Sequence, residues 1–218
     1  YQQKMEMARE VIADRGIWTA KKRYILNVHN SEGVQYPEPK LKIMGIEAVK
    51  TSTPLPCRDK LKESFKILMN GNEKEMKEFC VNFRREFELL PPEDIGFPRS
   101  VNNVEKYSDT TSIYKKGTPM HVKGALLYNH LLKTKKVSHK HQTIYEGDKG
   151  KFVHLRKNPW NANVITFIGS LPTEFDMHKL IDYEQQFTKS FMDPLRFILE
   201  AINWKVDASD SNTIEDFF

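Results

Sequence analysis

The densest group of residues that could bind a ligand is the tetrapeptide Lys21, Lys22, Arg23 and Tyr24. Three cations beside an aromatic ring, placed where a turn leads into a strand, suit phosphates and base edges in the minor groove of a duplex. A second group follows in the stretch 40–54, where Lys50, Thr51 and Ser52 precede a further hydroxyl and a closing proline. Hydroxyls and main-chain N–H groups in such turns often hold backbone phosphates. The two groups together predict a surface that binds nucleic acid.

The distribution of charge also indicates a polyanionic partner. The net charge is only +5, from 34 basic and 29 acidic residues. Residues 99–157 nevertheless carry 13 Lys/Arg against 4 Asp/Glu, a net of +9, whereas residues 173–218 have a net charge of −6. Such segregation is typical of a protein that meets a polyanion on one side only. Ordinary solvated surface charge is the alternative explanation of the same counts.

Motifs of a self-sufficient active site are absent from the sequence. It contains no P-loop, no G-x-G-x-x-G, no H-E-x-x-H and no G-x-S-x-G. His139, His141 and His154 could be read as a metal site, but no Asp, Glu or Cys lies close in sequence to complete the ligand shell. A basic loop is therefore the favoured interpretation. The two cysteines predict neither a zinc cage nor a disulfide framework, and they favour a reducing compartment.

The elements that position these residues are of mixed type. β-Forming residues dominate 23–29 and 40–46, which predicts an antiparallel element of two or three strands up to about residue 50. Residues 4–13 are expected to form the end of a helix. From Asp59 the apolar residues recur with helical spacing until Pro91-Pro92 ends the second of two helices.

The remainder predicts further helices and one hairpin. Residues 125–132 resemble a short buried helix, and 151–155 and 163–168 are strand candidates around an NPWN turn. A last helical block is expected from near Asp176, interrupted at Pro194. The fold class is therefore α+β, with a small antiparallel β element, a mostly helical region containing a short β hairpin, and a flexible C-terminal tail. No run approaches the roughly 20 apolar residues of a membrane span, so no membrane association is expected.

Four stretches occur in an order and spacing that point to a known family. They are GIWTAKKRY at 16–24, YPEPKLKIMGIEAVKTSTP at 36–54, SVNNVEKY at 100–107 and MHVKGALLYN at 120–129, and the terminal IEDFF also matches in kind. Through them the chain resembles the C-terminal part of replicative family B DNA polymerases, most closely those of T-even type bacteriophages. The resemblance implies three regions: the C-terminal end of the palm at 1–50, the thumb domain at 51–207, and a tail that binds a sliding clamp at 208–218.

The resemblance also implies roles for individual residues. The segment 21–24 is expected to contact the minor groove of primer–template DNA and the primer backbone near its 3′ end. The turn formed by Lys50, Thr51 and Ser52 is expected to hold backbone phosphates. Gly124 would let a DNA strand approach closely, because it has no side chain. Further backbone contacts are expected from Ser100, Asn102, Asn103, Lys106, His121 and Lys123. In the tail, Ile214, Phe217 and Phe218 would form the apolar plug that enters the clamp.

The chain lacks the aspartates that carry the chemistry of this family. Such polymerases hold two Mg²⁺ ions with aspartates in a D-x-x-S-L-Y-P-S and a Y-x-D-T-D-S segment, both of which precede the KKRY segment. Neither occurs here. The stretch 107–112 resembles the second, but Thr111 stands where an aspartate is required and the stretch follows KKRY. The resemblance therefore implies a part of a DNA polymerase that is inactive alone and has no metal-binding residues of its own.

Either the chain is a fragment of a polymerase, or the polymerase is split. In the split case an upstream polymerase half, carrying exonuclease, fingers and the missing aspartates with their Mg²⁺, would complete the enzyme in the cytoplasm of the infected bacterial host. Two other functions stay open. The chain could be a non-catalytic nucleic-acid-binding replication accessory protein, or a plain α+β interaction module whose charge pattern is incidental. Duplex binding with a steep salt dependence would separate the first two functions from the third.

Overall fold

The N-terminal sheet consists of three consecutive antiparallel strands, β1 (Val11–Ala20), β2 (Arg23–Ser31) and β3 (Val34–Met44). The structure, a computed structural model, describes residues 8–208. Ile25 of the central strand lies opposite Ile17 on β1 and Ile43 on β3, and it is completely buried. The central strand therefore anchors the sheet to the core, while β1 and β3 form its two edges.

The helix end predicted over residues 4–13 is wrong for the residues that the structure describes. Residues 8–10 have no regular secondary structure, and β1 begins at Val11. Local composition favours a helix there, but pairing with β2 supplies the backbone hydrogen bonds instead, and tertiary context commonly overrides propensity in this way. The strand predicted over 40–46 exists, but it is part of β3 and starts six residues earlier.

Two antiparallel-packed helices, α1 (Leu55–Asn70) and α2 (Glu73–Glu88), follow the sheet. The Asn72 side chain begins α2 as its N-cap by accepting a hydrogen bond from the main-chain N–H of Glu75 at 3.0 Å. The apolar stripe predicted from the 3.6-residue period is confirmed, since Phe83 and its neighbours one turn away are buried. The Phe83 ring lies 4.8 Å from the ring of Phe191, edge to face, which joins α2 to the C-terminal helices.

A second antiparallel sheet lies in the middle of the chain. It contains β4 (Phe97–Ser100), β5 (Lys149–His154) and β6 (Val164–Phe167), in that order. The predicted hairpin is confirmed as β5 and β6. β4 was not predicted, because its residues lie in a stretch rich in turn formers. Three helices belong to the same region: α3 (Pro92–Ile95), α4 (Val104–Tyr107) and α5 (Met120–Thr134).

The last described elements are α6 (Tyr183–Phe187), a π-helical turn at Thr188–Met192, and α7 (Asp193–Glu200). The helical block predicted from Asp176 thus starts later, after two short 3₁₀ turns. The interruption predicted at Pro194 is present: the wider π turn precedes the proline, which has no N–H for an intrahelical bond. The tail residues Ile214, Phe217 and Phe218 lie outside the described residues. Within residues 8–208, no helix is both long and apolar enough to cross a bilayer.

Candidate nucleic-acid interface

Lys21 and Lys22 form the tight turn between β1 and β2, and both are exposed. Lys22 adopts a left-handed backbone conformation with φ of 62°. Arg23 and Tyr24 begin β2 and are half-buried, with Tyr24 paired across the sheet with Trp18. The hairpin therefore presents two solvated lysine side chains at one end of the sheet, with the arginine and the tyrosine set behind them.

The backbone of this lysine turn rests on Gly45, just after β3. Gly45 has φ of +67°, and a Cβ atom there would collide with the carbonyl oxygen of Lys22 and lie 3.1 Å from Cγ of Arg23. Only glycine combines this left-handed conformation with so close an approach of two backbones. The chain that leaves β3 thus sets the position of the lysine turn.

The Glu47 carboxylate joins the lysine turn to the turn that follows. It accepts hydrogen bonds from Nη2 of Arg23 at 3.0 Å and from Nζ of Lys50 at 2.7 Å. Burial raises the pKa of Glu47, but the bond to Lys50 and the charges of Lys50 and Arg23 outweigh it, so that the pKa lies below its ordinary value. The Arg23 guanidinium also lies over the ring of Phe197, 5.0 Å from its centroid. Arg23 therefore has a positioning role between β2, the Lys50 turn and α7.

Thr51 and Ser52 line one side of a cleft of about 360 Å³. The opposite side consists of residues from β4 and β5, namely Pro98, Arg99, Ser100, Lys149 and Gly150. Ser100 is directly paired with Lys149 in the sheet. Hydroxyls from the Lys50 turn and β4, and cations from β4 and β5, thus surround one concave surface, an arrangement that suits a phosphate group.

Arg99 and Lys149 were not among the predicted site residues. The available signal for Arg99 was its position at the start of the strongly basic stretch 99–157. Because strand β4 was not predicted, the sequence did not indicate that Arg99 lies opposite Thr51 and Ser52. Arg99 also connects the cleft to α5: burial lowers the pKa of His121, and the charge of Arg99 lowers it further. His121 therefore favours its neutral form at pH 7, in which the imidazole has one N–H donor.

The other predicted thumb residues are exposed or half-buried. Asn102 and Asn103 precede α4, and the main-chain N–H groups of Asn103 and Val104 donate to the Glu146 carboxylate at 2.8 and 3.1 Å. Both main-chain amides are therefore used in hydrogen bonds within the protein. The side chains of this segment are the groups that remain available to a ligand. Lys106 is exposed, with its ammonium 5.3 Å from the centroid of the neighbouring Tyr107 ring. Lys123 is half-buried and lies 5.6 Å from the centroid of Tyr114.

The prediction that Gly124 lets DNA approach is wrong. Gly124 is buried, and a Cβ atom there would lie 2.6 Å from the main-chain nitrogen of Thr166 and 2.9 Å from the carbonyl carbon of Ile165. The hydroxyl of Thr166 also donates to the main-chain oxygen of His121 at 2.7 Å. The close neighbour of this glycine is β6, so Gly124 packs α5 against the sheet and does not belong to the interface.

The histidines singled out from the sequence do not form a metal site. His154 is buried in β5, where its Nδ1 is 2.8 Å from Oε1 of Gln186. His141 instead lies 3.0 Å from the Glu174 carboxylate, and His139 is exposed. Among residues 8–208, no group of three or more His, Cys, Asp or Glu side chains could hold a metal ion.

Asp109 lies in the stretch that resembles a catalytic segment, but its carboxylate stabilises a local turn. Its carboxylate accepts hydrogen bonds from the main-chain N–H and the hydroxyl of Thr111, both at 2.8 Å. These bonds to the charged form lower the pKa of Asp109 to about 2. The aspartate closes a local turn of the exposed loop before α5.

Comparison with characterised proteins finds two DNA polymerases that are similar to this chain in sequence. The chain is 34% identical over 191 residues to the DNA-directed DNA polymerase of Enterobacteria phage T4, and 34% identical over 208 residues to that of Escherichia phage RB69. The chain is a relative of the C-terminal part of T-even phage DNA polymerases. The resemblance inferred from the sequence motifs is therefore confirmed.

The alignments cover 85% and 93% of this chain but only 21% and 22% of the two T-even polymerases. The chain thus spans about a fifth of the length of these relatives. No protein-family model matches it.

Proposed function

We propose that this chain is the duplex-binding portion of a DNA-directed DNA polymerase and holds primer–template DNA by its sugar–phosphate backbone. In this proposal the residues up to 50 are the end of the palm, and residues 51–207 are the thumb. The observation that carries the proposal is the connected series of contacts from Lys22 through Gly45 and Glu47 to the Lys50 turn, and across the cleft to Arg99. These contacts link segments that are far apart in sequence to a concave cleft lined by Arg99 and Lys149.

Backbone binding by such a surface is driven largely by the release of counterions from DNA. Each phosphate neutralised by a lysine or arginine contributes about 0.9 to the slope of log K against log salt. Lys21, Lys22, Lys50, Arg99 and Lys149 are the principal cations of the surface, and hydroxyls of the cleft add hydrogen bonds that fix the register. Tyr24 and Arg23, set behind the lysines, are proposed to support contacts in the minor groove.

Replacing Lys22 with asparagine tests this proposal. Asparagine tolerates the left-handed conformation of this position, so the substitution removes the charge without adding backbone strain. We expect weaker binding to a primer–template junction, with the salt slope reduced by about one unit. The measurement is fluorescence anisotropy over a series of salt concentrations.

The matched control is Lys74→Gln, which removes one exposed charge on the first turn of α2. This variant should bind the junction like the unchanged chain. An unchanged salt slope in Lys22→Asn would contradict the proposed role of the lysine turn. Equal binding of blunt duplex and junction by the unchanged chain would favour the accessory-protein function instead.

We also propose that polymerisation requires an upstream polymerase half that supplies the catalytic aspartates and their Mg²⁺ ions. The edge of β1 and the outer face of the N-terminal sheet support this. Trp18 on β1 and Val34 on β3 are 65% and 60% exposed, and exposed apolar groups on an unpaired sheet edge are typical of a surface that another segment covers. Metal-dependent primer extension by the purified chain alone would contradict this requirement.

A final part of the proposal concerns the tail. Ile214, Phe217 and Phe218 are proposed to enter an apolar pocket of a sliding clamp, each burying enough apolar surface to contribute about 1.5–3 kcal/mol before the cost of ordering the tail. Such a contact is weak alone but raises the effective concentration of clamp near bound DNA. Deleting residues 213–218 should abolish clamp binding in a pull-down while leaving duplex affinity unchanged. Retained clamp binding would refute the role of the tail.

A further inference from the structure

The C-terminal end of α5 carries a second concentration of positive charge. Residues 130–141 contain four lysines and three histidines and no Asp or Glu. Lys140 and His141 contact the Glu174 carboxylate at 3.4 and 3.0 Å. The other five residues form what we call the α5-terminal cluster, and within the described part of the chain none of them has a carboxylate partner. They are His130, Lys133, Lys135, Lys136 and His139, and all are exposed.

The cluster is held on a well-defined helix end. The main-chain N–H of Val137 donates to the carbonyl of Leu132 at 3.0 Å, and that of Lys136 donates to the carbonyl of Lys133 at 3.1 Å. These two bonds are those of a Schellman motif. Val137 is buried against the core directly after the exposed lysines. The lysines at the end of α5 therefore have a fixed backbone position.

Lys136 occupies the position of this motif at which glycine is usual. Its φ is 57°, in the left-handed region that L residues with a Cβ atom adopt at a cost. Of the seven non-glycine residues with positive φ between 8 and 208, four are Asn or Asp, whose short polar side chains compensate locally. The two lysines among the seven are Lys136 and Lys22. A lysine at such a position indicates that its charge is useful, because glycine or asparagine would satisfy the backbone better.

The cluster lies at a defined distance from the proposed DNA-binding surface. The first turn of α5 carries His121 and Lys123, two of the residues expected to contact DNA, and at 1.5 Å per residue the C-terminal end of the helix is about 20 Å farther along. His130 follows Lys123 by seven residues, which is two helical turns, so the two lie on the same face of α5. B-form DNA rises 3.4 Å per base pair, so the separation corresponds to about six base pairs.

We propose that the α5-terminal cluster is a second duplex-binding surface, which binds backbone phosphates about six base pairs beyond those held at the first turn of α5. The proposal rests on the proposed function, because it takes the same duplex as the ligand of both surfaces. The lysines neutralise phosphates, and the imidazole N–H groups of His130 and His139 can donate hydrogen bonds to phosphate oxygens.

Lys136→Asn is the variant that separates charge from backbone conformation, since asparagine tolerates the left-handed position and has no charge. Its affinity is measured on two primer–template DNAs, one with a duplex region of about 5 base pairs closed by a hairpin loop and one with about 24 base pairs; only the longer one reaches the cluster by the helical spacing. For the longer duplex we expect about eightfold weaker binding at 0.1 M salt and a salt slope reduced by about one. For the shorter duplex we expect no change. The melting temperature should be equal or higher.

Lys22→Asn distinguishes failure of this inference from failure of the proposed function. It should weaken binding of both duplexes equally, because the lysine turn lies at the junction. Suppose that Lys22→Asn weakens binding of both duplexes. If Lys136→Asn then changes the binding of neither duplex, or weakens binding of both equally, the second surface is refuted and the first stands. If Lys22→Asn changes neither, the proposed function itself fails. A loss in Lys74→Gln equal to that in Lys136→Asn would also refute the second surface, since the effect would then be one of net charge.

Discussion

Replacing Gly45 with alanine should weaken binding of primer–template DNA by about 60-fold at 0.1 M salt, which is the loss of two phosphate contacts at about eightfold each. A Cβ atom at this position collides with the carbonyl oxygen of Lys22. The lysine turn must therefore shift, and both Lys21 and Lys22 are displaced from the phosphates that they are proposed to neutralise. The slope of log K against log salt should fall by about two units.

Gly33→Ala is the matched control for this experiment. Gly33 also has a positive φ, +83°, and lies in the next hairpin turn, but nothing lies within 4 Å of the Cβ atom that alanine would add. Both variants pay a similar cost of about 1–2 kcal/mol for the left-handed conformation. Only Gly45→Ala should lose DNA affinity, measured by anisotropy with circular dichroism as a check on folding. Equal affinity of the two variants would show that the close contact between Gly45 and Lys22 does not position the turn.

The elements that local sequence predicted well are those whose signal lies within one segment. The stripe of α2 repeats with the period of a helix, and Phe83 and Phe87 are buried as that period requires. The lysine turn was likewise visible as a dense cationic segment before a strand. In both cases neighbouring residues carry all the information, so one window of the sequence was enough.

The cleft could be predicted only in part, because its two sides come from distant segments. Thr51 and Ser52 were predicted from their hydroxyls, whereas Arg99 and Lys149 meet them through the pairing of β4 with β5. That pairing joins residues about fifty positions apart and leaves no local pattern. Glu47 is similar: its sequence position does not reveal that it binds Arg23, 24 residues earlier.

Gly124 shows a different limit of sequence reasoning. A glycine near basic residues is compatible with close approach of a ligand and equally with close approach of another part of the chain. The deciding fact is the position of β6, whose backbone occupies the space beside Gly124. The glycine is therefore explained by packing, and the basic residues around it are not evidence for its role.

The largest loss of stability from a single polar side chain is expected at Gln186, in α6. Gln186 is completely buried. Its Oε1 accepts from the main-chain N–H of His154 at 3.1 Å and lies 2.8 Å from Nδ1 of the same residue, while its Nε2 donates to the carbonyl oxygen of Ile95 at 2.6 Å. The side chain thereby joins α6 to β5 and to α3.

Gln186→Leu retains the size of the side chain but leaves these three groups buried without partners. Each unsatisfied buried group costs about 1–3 kcal/mol, so the free energy of unfolding should fall by at least about 3 kcal/mol. Gln185→Leu, at the exposed neighbouring position, is the control and should change it by less than about 0.5 kcal/mol. Urea denaturation of the full chain measures both.

The same network has a consequence for the interface, because β5 carries Lys149 at one end and His154 at the other. Gln186 fixes the His154 end against the helices, so a chain that folds without this bond should hold β5 and β4 less firmly beside the Lys50 turn. Gln186→Leu should therefore weaken duplex binding under conditions in which it is still folded, whereas Gln185→Leu should not. If Gln186→Leu lowers the free energy of unfolding by less than about 1 kcal/mol, the buried groups have found other hydrogen-bond partners. Gln186 then does not hold β5 in place.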